Sequence, residues 1–220
     1  MVDEYLSERE QADQLRQWLR ENWLWLVAGV VLGLGSVFGY RWWNAHQTAR
    51  SQEAEQQFSA MLDALGRNQR KEGLQIASKI TGEYTDTPYA DQTLLVLARL
   101  DIESGDLEAA AATLKEVMDS TRDPELALVA RLRLARVQLA KGSYDEALAT
   151  LAAVENPAVA ARVAELRGDV MMARGQSADA LVAYREAQSA AEEGKTADGL
   201  VDQELLRLKI DELSATTAAE

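Results

Sequence analysis

Three stretches of this chain repeat one another, and that repetition limits the fold more than any other feature. They are GDLEAAAATLKEV from Gly105, GSYDEALATLAAV from Gly142 and GQSADALVAYREA from Gly175, spaced 37 and then 33 residues apart. In each, an alanine follows the glycine by five positions (Ala110, Ala147, Ala180), and a large residue follows the alanine by four (Leu114, Leu151, Tyr184). Three further on stands a small or branched residue (Val117, Val154, Ala187), and seven before each glycine sits another small one (Ala98, Ala135, Gly168). Spacings of three and four belong to helices. The pattern therefore predicts two antiparallel helices per repeat. The first offers a small residue where the second crosses closely, and glycine ends it in a left-handed cap. A degenerate earlier copy falls at Gly73, Ala77 and Ile80.

The prolines mark the other boundary. Thr87-Pro88, Asp123-Pro124 and Asn156-Pro157 each read as an N-cap residue followed by proline at the first helical position. Helices are expected near 68–84, 88–104, 107–121, 124–141, 144–154, 157–174 and 177–193, with a capping helix near 198–213. An unpaired helix at the end of such a stack covers the apolar face of its last repeat. The fold class is all-α.

Ahead of the repeats lies a segment of another kind. Trp23 to Tyr40 reads WLWLVAGVVLGLGSVFGY, 18 residues without a charge. At about 1.5 Å per residue it spans about 27 Å, close to the ~30 Å of bilayer hydrocarbon. Trp23 and Trp25 flank one end and Tyr40, Trp42 and Trp43 the other, as rings that favour the headgroup boundary do. A cleaved signal peptide fits poorly, because an acidic stretch precedes the run and no A-x-A site follows it. Arg9, Arg16 and Arg20 before the segment outnumber Arg41 and Arg50 after it, which favours a cytoplasmic N-terminus. The expected organisation is a cytoplasmic tail over 1–22, a transmembrane helix over 23–43 and a repeat domain over 44–220. Leu15, Trp18 and Leu19 give the tail a short amphipathic face. Within the span, Gly29, Gly33 and Ser36 share one face, and Ala28, Gly35 and Gly39 form a second. Small side chains there let another helix approach closely.

Charge and composition exclude several functions. Residues 51–220 hold 30 acidic against 18 basic residues, a net −12 that phosphate backbones and anionic lipids repel. There is no cysteine, and the sole histidine, His46, stands without motif-spaced partners, so no metal site is expected. No phosphate loop, serine-nucleophile elbow or zinc-protease motif occurs. Neither an enzyme nor a cofactor is expected.

A binding face is the remaining candidate. The inner face of such a stack is built from the first helix of each repeat. Counting three before, one after and four after each small residue gives Leu95, Arg99 and Ile102, then Leu132, Arg136 and Leu139, then Glu165, Asp169 and Met172. An apolar strip with two arginines in matching places suits a partner segment carrying acidic groups. The alternative is that the leucines are core and the arginines pair with neighbouring carboxylates.

These repeats resemble the tetratricopeptide consensus, well at the small-residue, alanine and second large positions and poorly at its initial Trp and Tyr. A narrower resemblance covers the whole chain. It rests on the acidic N-terminus, the glycine-rich segment ending Gly39-Tyr40-Arg41-Trp42-Trp43, and the run from Tyr84 to Ala90. Leu132-Arg133-Leu134-Ala135-Arg136-Val137 and Glu165-Leu166-Arg167-Gly168-Asp169 extend it. The chain is similar to the YfgM-like ancillary subunits of the bacterial Sec translocon. That resemblance implies an inner-membrane protein with a periplasmic domain, associated with the SecYEG channel and with PpiD, a membrane-anchored periplasmic chaperone. Contact with translocating polypeptides is a further implication. A membrane-anchored scaffold for envelope assembly or cell division is the rival reading.

Overall fold

The computed structural model of the protein describes residues 8–193 and 201–217, and regular structure among them is entirely helical. The chain forms two units, Met1–Glu53 and Ala54–Glu220. In the first, helix α1 (Glu8–Gly66) begins and turns its apolar side chains outward, with Trp25 77% and Leu32 72% exposed. It is the one helix among the described residues long and apolar enough to cross a membrane, and none of its apolar window is buried.

The second unit takes residues 54–66 of α1 and then α2 (Arg70–Glu83), α3 (Pro88–Ser104), α4 (Leu107–Ser120) and α5 (Pro124–Ala140). It continues through α6 (Tyr144–Ala152), α7 (Ala160–Ala173), α8 (Ser177–Glu192) and α9 (Gln203–Thr217). Consecutive helices from α2 to α9 pack against each other, and α5 also touches α3 on one side and α7 on the other. First helices of successive repeats thus stack directly, as a solenoid requires.

The punctuation read from sequence is what ends these helices. Gly105, Gly142 and Gly175 have φ of 82°, 78° and 77°, the left-handed conformation that a Cβ disfavours. The residue after each reaches back five positions, as in Ser143 N–H to the Gln138 carbonyl at 2.9 Å, which satisfies a carbonyl orphaned at the helix end. Asp123 caps α5 by accepting from the Glu125 and Leu126 amides at 2.8 and 3.3 Å. Thr87 departs from expectation. It occupies the N-cap position of α3, yet its hydroxyl donates to the Tyr84 carbonyl at 2.8 Å and caps no amide. Asn156 opens a single 3-10 turn, Pro157–Val159, before α7 proper. α6 stops at Ala152, and Arg131 Nη1 donates to the Ala153 carbonyl just beyond, at 2.8 Å.

The repeat alanines do what their spacing implies. Ala110, Ala147 and Ala180 are wholly buried, and Leu114, Leu151 and Tyr184 fill the gaps between first helices. Each fully buried leucine contributes about 1.5–3 kcal/mol. Contact is closest at Gly168, where an added Cβ would lie 2.4 Å from the Tyr184 ring. The first repeat pairs α2 with the end of α1: Met61, Ala77 and Ile80 form one buried cluster. The repeat spacing predicts no helix on that stretch of α1.

Candidate interaction surface

Four of the candidate groove residues come together. Leu95, Arg99 and Ile102 of α3 and Arg136 of α5 line one cleft of about 340 Å³. Its floor is Ala98, Leu114 and Val137, and Arg133 and Ala140 complete its rim. Leu95 corrects the sequence reading: at 7% exposure it is core with only an edge toward the cleft. Ile102 is 39% exposed and Arg99 and Arg136 are exposed. The other candidates lie elsewhere. Leu132 packs against the cluster of Leu151 and Val163, and Leu139 is half-buried outside the cleft. Met172 is 38% exposed on α7, away from these residues.

Sequence counting missed Arg133, Val137 and Ala140. Arg133, Arg136, Val137 and Ala140 are spaced three, four and seven apart, so one face of α5 carries all four. The helical period alone would have found them. Arg99 donates to Glu103 at 2.8 Å in an exposed pair one turn apart. Such a pair contributes only about 0.3–0.5 kcal/mol. Arg133 and Arg136 make no ion pair with any described residue.

The third repeat is built otherwise. Glu165, offered by sequence as an open position, is 3% exposed and pairs with Arg162 of its own helix and with Lys209 of α9 at 3.2 Å. Asp169 accepts from Lys209 Nζ at 2.7 Å and from the Tyr184 hydroxyl at 2.8 Å. The cap helix therefore closes the face that Asp169 was expected to leave open. Burial disfavours the Lys209 charge, but the hydrogen bond and attraction of Asp169, joined by Glu165, outweigh it and raise its pKa above the usual lysine value. Burial first, and then the bond to Asp169, push the Tyr184 phenol well above its usual range. The buried Glu165 and the half-buried Asp169 thus share one satisfied network.

A second hollow of about 440 Å³ lies where α2, α3, α4 and α5 end or begin, with Asp86, Asp91, Glu116, Arg122 and Asp123 on its wall. Two of these carboxylates already serve the fold. Asp91 accepts from the Thr121 hydroxyl at 2.6 Å, and Asp123 is the α5 cap. Among the described residues no three His, Cys, Asp or Glu side chains gather as metal ligands would. In the first unit, a Cβ added at Gly29, Gly33, Gly35 or Gly39 would meet nothing within 4 Å. Ser36 beside them satisfies its hydroxyl within the helix, donating to the Leu32 carbonyl at 2.8 Å.

Residues 16–215 match the family described as tetratricopeptide repeat-like domain. Curated relatives align along nearly their whole length. A protein of Escherichia coli K12 named ancillary SecYEG translocon subunit is 32% identical over 96% of this chain and 98% of its own. A Haemophilus influenzae protein of the same name is 28% identical over 94% and 98%, and one of Neisseria gonorrhoeae is 27% identical over 95% and 98%. Among solved structures, MamA of Desulfovibrio magneticus RS-1 matches with a TM-score of 0.52 at 16% identity, covering 76% of this chain and 96% of that one. At that identity the likeness is one of fold.

Proposed function

We propose that this chain, which belongs to the tetratricopeptide repeat-like family of the ancillary SecYEG translocon subunits, is a single-span adaptor of the bacterial Sec translocon rather than an enzyme. The observation that carries this reading is the extent of the likeness: relatives bearing that name align over 98% of their length, with the apolar helix included. In this reading residues 1–22 are a cytoplasmic tail, residues 23–43 cross the inner membrane, and the domain from residue 44 onward lies in the periplasm. The small faces at Gly29, Gly33 and Ser36 and at Gly35 and Gly39 meet helices of the channel. The repeat domain holds a membrane-anchored periplasmic chaperone of the PpiD type and assists chains leaving the channel. Net charge keeps that domain off the anionic membrane surface.

Photocrosslinking tests the reading. A benzophenone side chain at Leu32, 72% exposed on the apolar helix, is expected to give an adduct with a translocon subunit in native membranes. The same probe at exposed Ala140 is expected to give one with the chaperone. Adducts confined to cell-division or envelope-assembly proteins would overturn it.

A further inference from the structure

The face built by the first helices of the repeats contains its own example of how it reads charge. Asp169, one position after the small residue of α7, is satisfied by a lysine on a neighbouring helix, Lys209 of α9. That helix is seated by apolar side chains: its Leu206 and Leu213, with Val201 just ahead of it, share a buried cluster with Leu181, Tyr184 and Ala187 of α8. Equivalent positions in the two preceding repeats carry the opposite charge, Arg99 and Arg136, beside an apolar floor that no described helix covers. The chain has 36 acidic residues, yet no described carboxylate pairs with Arg136 or with Arg133 next to it. Among the described residues Arg99 pairs with its exposed neighbour Glu103 alone, a contact that a partner can exchange cheaply.

We infer that the cleft between α3 and α5 docks an amphipathic helical segment of a partner protein whose apolar stripe is bordered by carboxylates. This rests on the adaptor reading and names the chemistry of its grip. Leucine-like side chains of the segment lie on Ala98 and Val137, and its carboxylates bind the three guanidinium groups in charge-assisted, bidentate fashion. The rest of the domain, strongly acidic, repels an anionic lipid surface from the same cleft. The third repeat takes no part, since Lys209 already fills its place.

The test uses the full chain in phosphatidylcholine nanodiscs and two fluorescein-labelled helical peptides, one with a leucine stripe bordered by glutamate and one with glutamine in its place. The acidic peptide is expected to bind at least tenfold more tightly, and to lose that advantage as salt rises. Arg133→Gln with Arg136→Gln should weaken the acidic peptide at least tenfold and leave the glutamine peptide unchanged. Arg167→Gln, which removes an arginine paired with Glu186 elsewhere, should change neither. Ala140→Glu, on the exposed rim, should block the acidic peptide by occupying the arginines, and it guards against a double variant that folds poorly. Equal binding of the two peptides, an undiminished double variant, or an equal loss in Arg167→Gln would overturn the inference. So would displacement of the acidic peptide by phosphatidylglycerol vesicles. A translocon adduct from Leu32 that persists in the double variant would leave the adaptor reading standing whatever happens at the cleft.

Discussion

Residues 23–40 and the helices of the repeat domain are both rich in leucine, yet they use it in opposite ways. In the first, every residue is exposed, and no other described part of the protein covers it. In the second, Leu114, Leu151 and Leu206 have almost no exposure, and each helix keeps a polar face outside. Glycine shows the contrast most sharply. Gly33 has open space where a Cβ would stand, while Gly168 has the Tyr184 ring there. One glycine suits a helix that awaits a neighbour, and the other serves a neighbour already in place. The same substitution should therefore read differently in the two regions.

A buried charge separates them by the widest margin. Ala147→Glu places a carboxylate at a wholly buried helix crossing, and is expected to cost about 3–5 kcal/mol. That is a large fraction of the ~5–15 kcal/mol of an ordinary domain, so the urea transition of the repeat domain should fall sharply. Leu32→Glu should leave the urea transition of the repeat domain unchanged and instead reduce membrane retention, at about 2.5–3.5 kcal/mol of insertion free energy. If both variants lowered the transition equally, the two regions would not differ as described.

Adding one methyl group is the subtler version. Gly168→Ala drives a Cβ into the Tyr184 ring and pulls its hydroxyl from Asp169, a loss of about 1–3 kcal/mol visible as a lower melting temperature. Gly33→Ala should not move that temperature at all. Gly33→Leu should still insert but co-purify less with translocon subunits, since bulk there obstructs close helix approach.

Within the repeat domain, the cap is expected to be sensitive to alkali. Folded Lys209 and folded Tyr184 both hold their protons to higher pH than the free side chains, whose ordinary values are 10.5 and 10.0. A raised folded pKa stabilises below the unfolded value and loses its effect as pH climbs through the folded one. Helicity at the C-terminal end should therefore fall as pH rises above about 10. Lys209→Met should cost about 1–2 kcal/mol at neutral pH and flatten that alkaline limb, followed by circular dichroism. The smallest effect on the fold is expected from Arg99→Glu with Arg136→Glu. Both side chains are exposed, so stability should stay within about 0.5 kcal/mol per site while partner binding falls at least tenfold.

Legibility in the sequence followed the strength of the local signal. Glycines with positive φ and prolines at helix starts are backbone requirements, and they located the helices from α3 to α8 within a few residues. Small residues at crossings set the register and hence the pairing of α3 with α4, α5 with α6 and α7 with α8. The first helix of the first repeat was hidden, because no glycine or proline separates Trp43 from Met61 and nothing marks where one kind of packing replaces another. Glu165 and Asp169 looked open because the partner that closes them, Lys209, is 44 and 40 residues away in the chain. Leu95 looked open because a position count cannot tell which edge of a groove residue the next helix covers.

Topology is where the account is most exposed. The chain lacks cysteine, so single cysteines report without background. Ser189→Cys, exposed on α8 of the repeat domain, should react in intact cells with a maleimide that cannot cross the inner membrane. Asp13→Cys, exposed near the start of α1, should react only after the membrane is permeabilised. The reverse pattern, or free labelling of both sites in intact cells, would contradict a single span that carries the repeat domain into the periplasm.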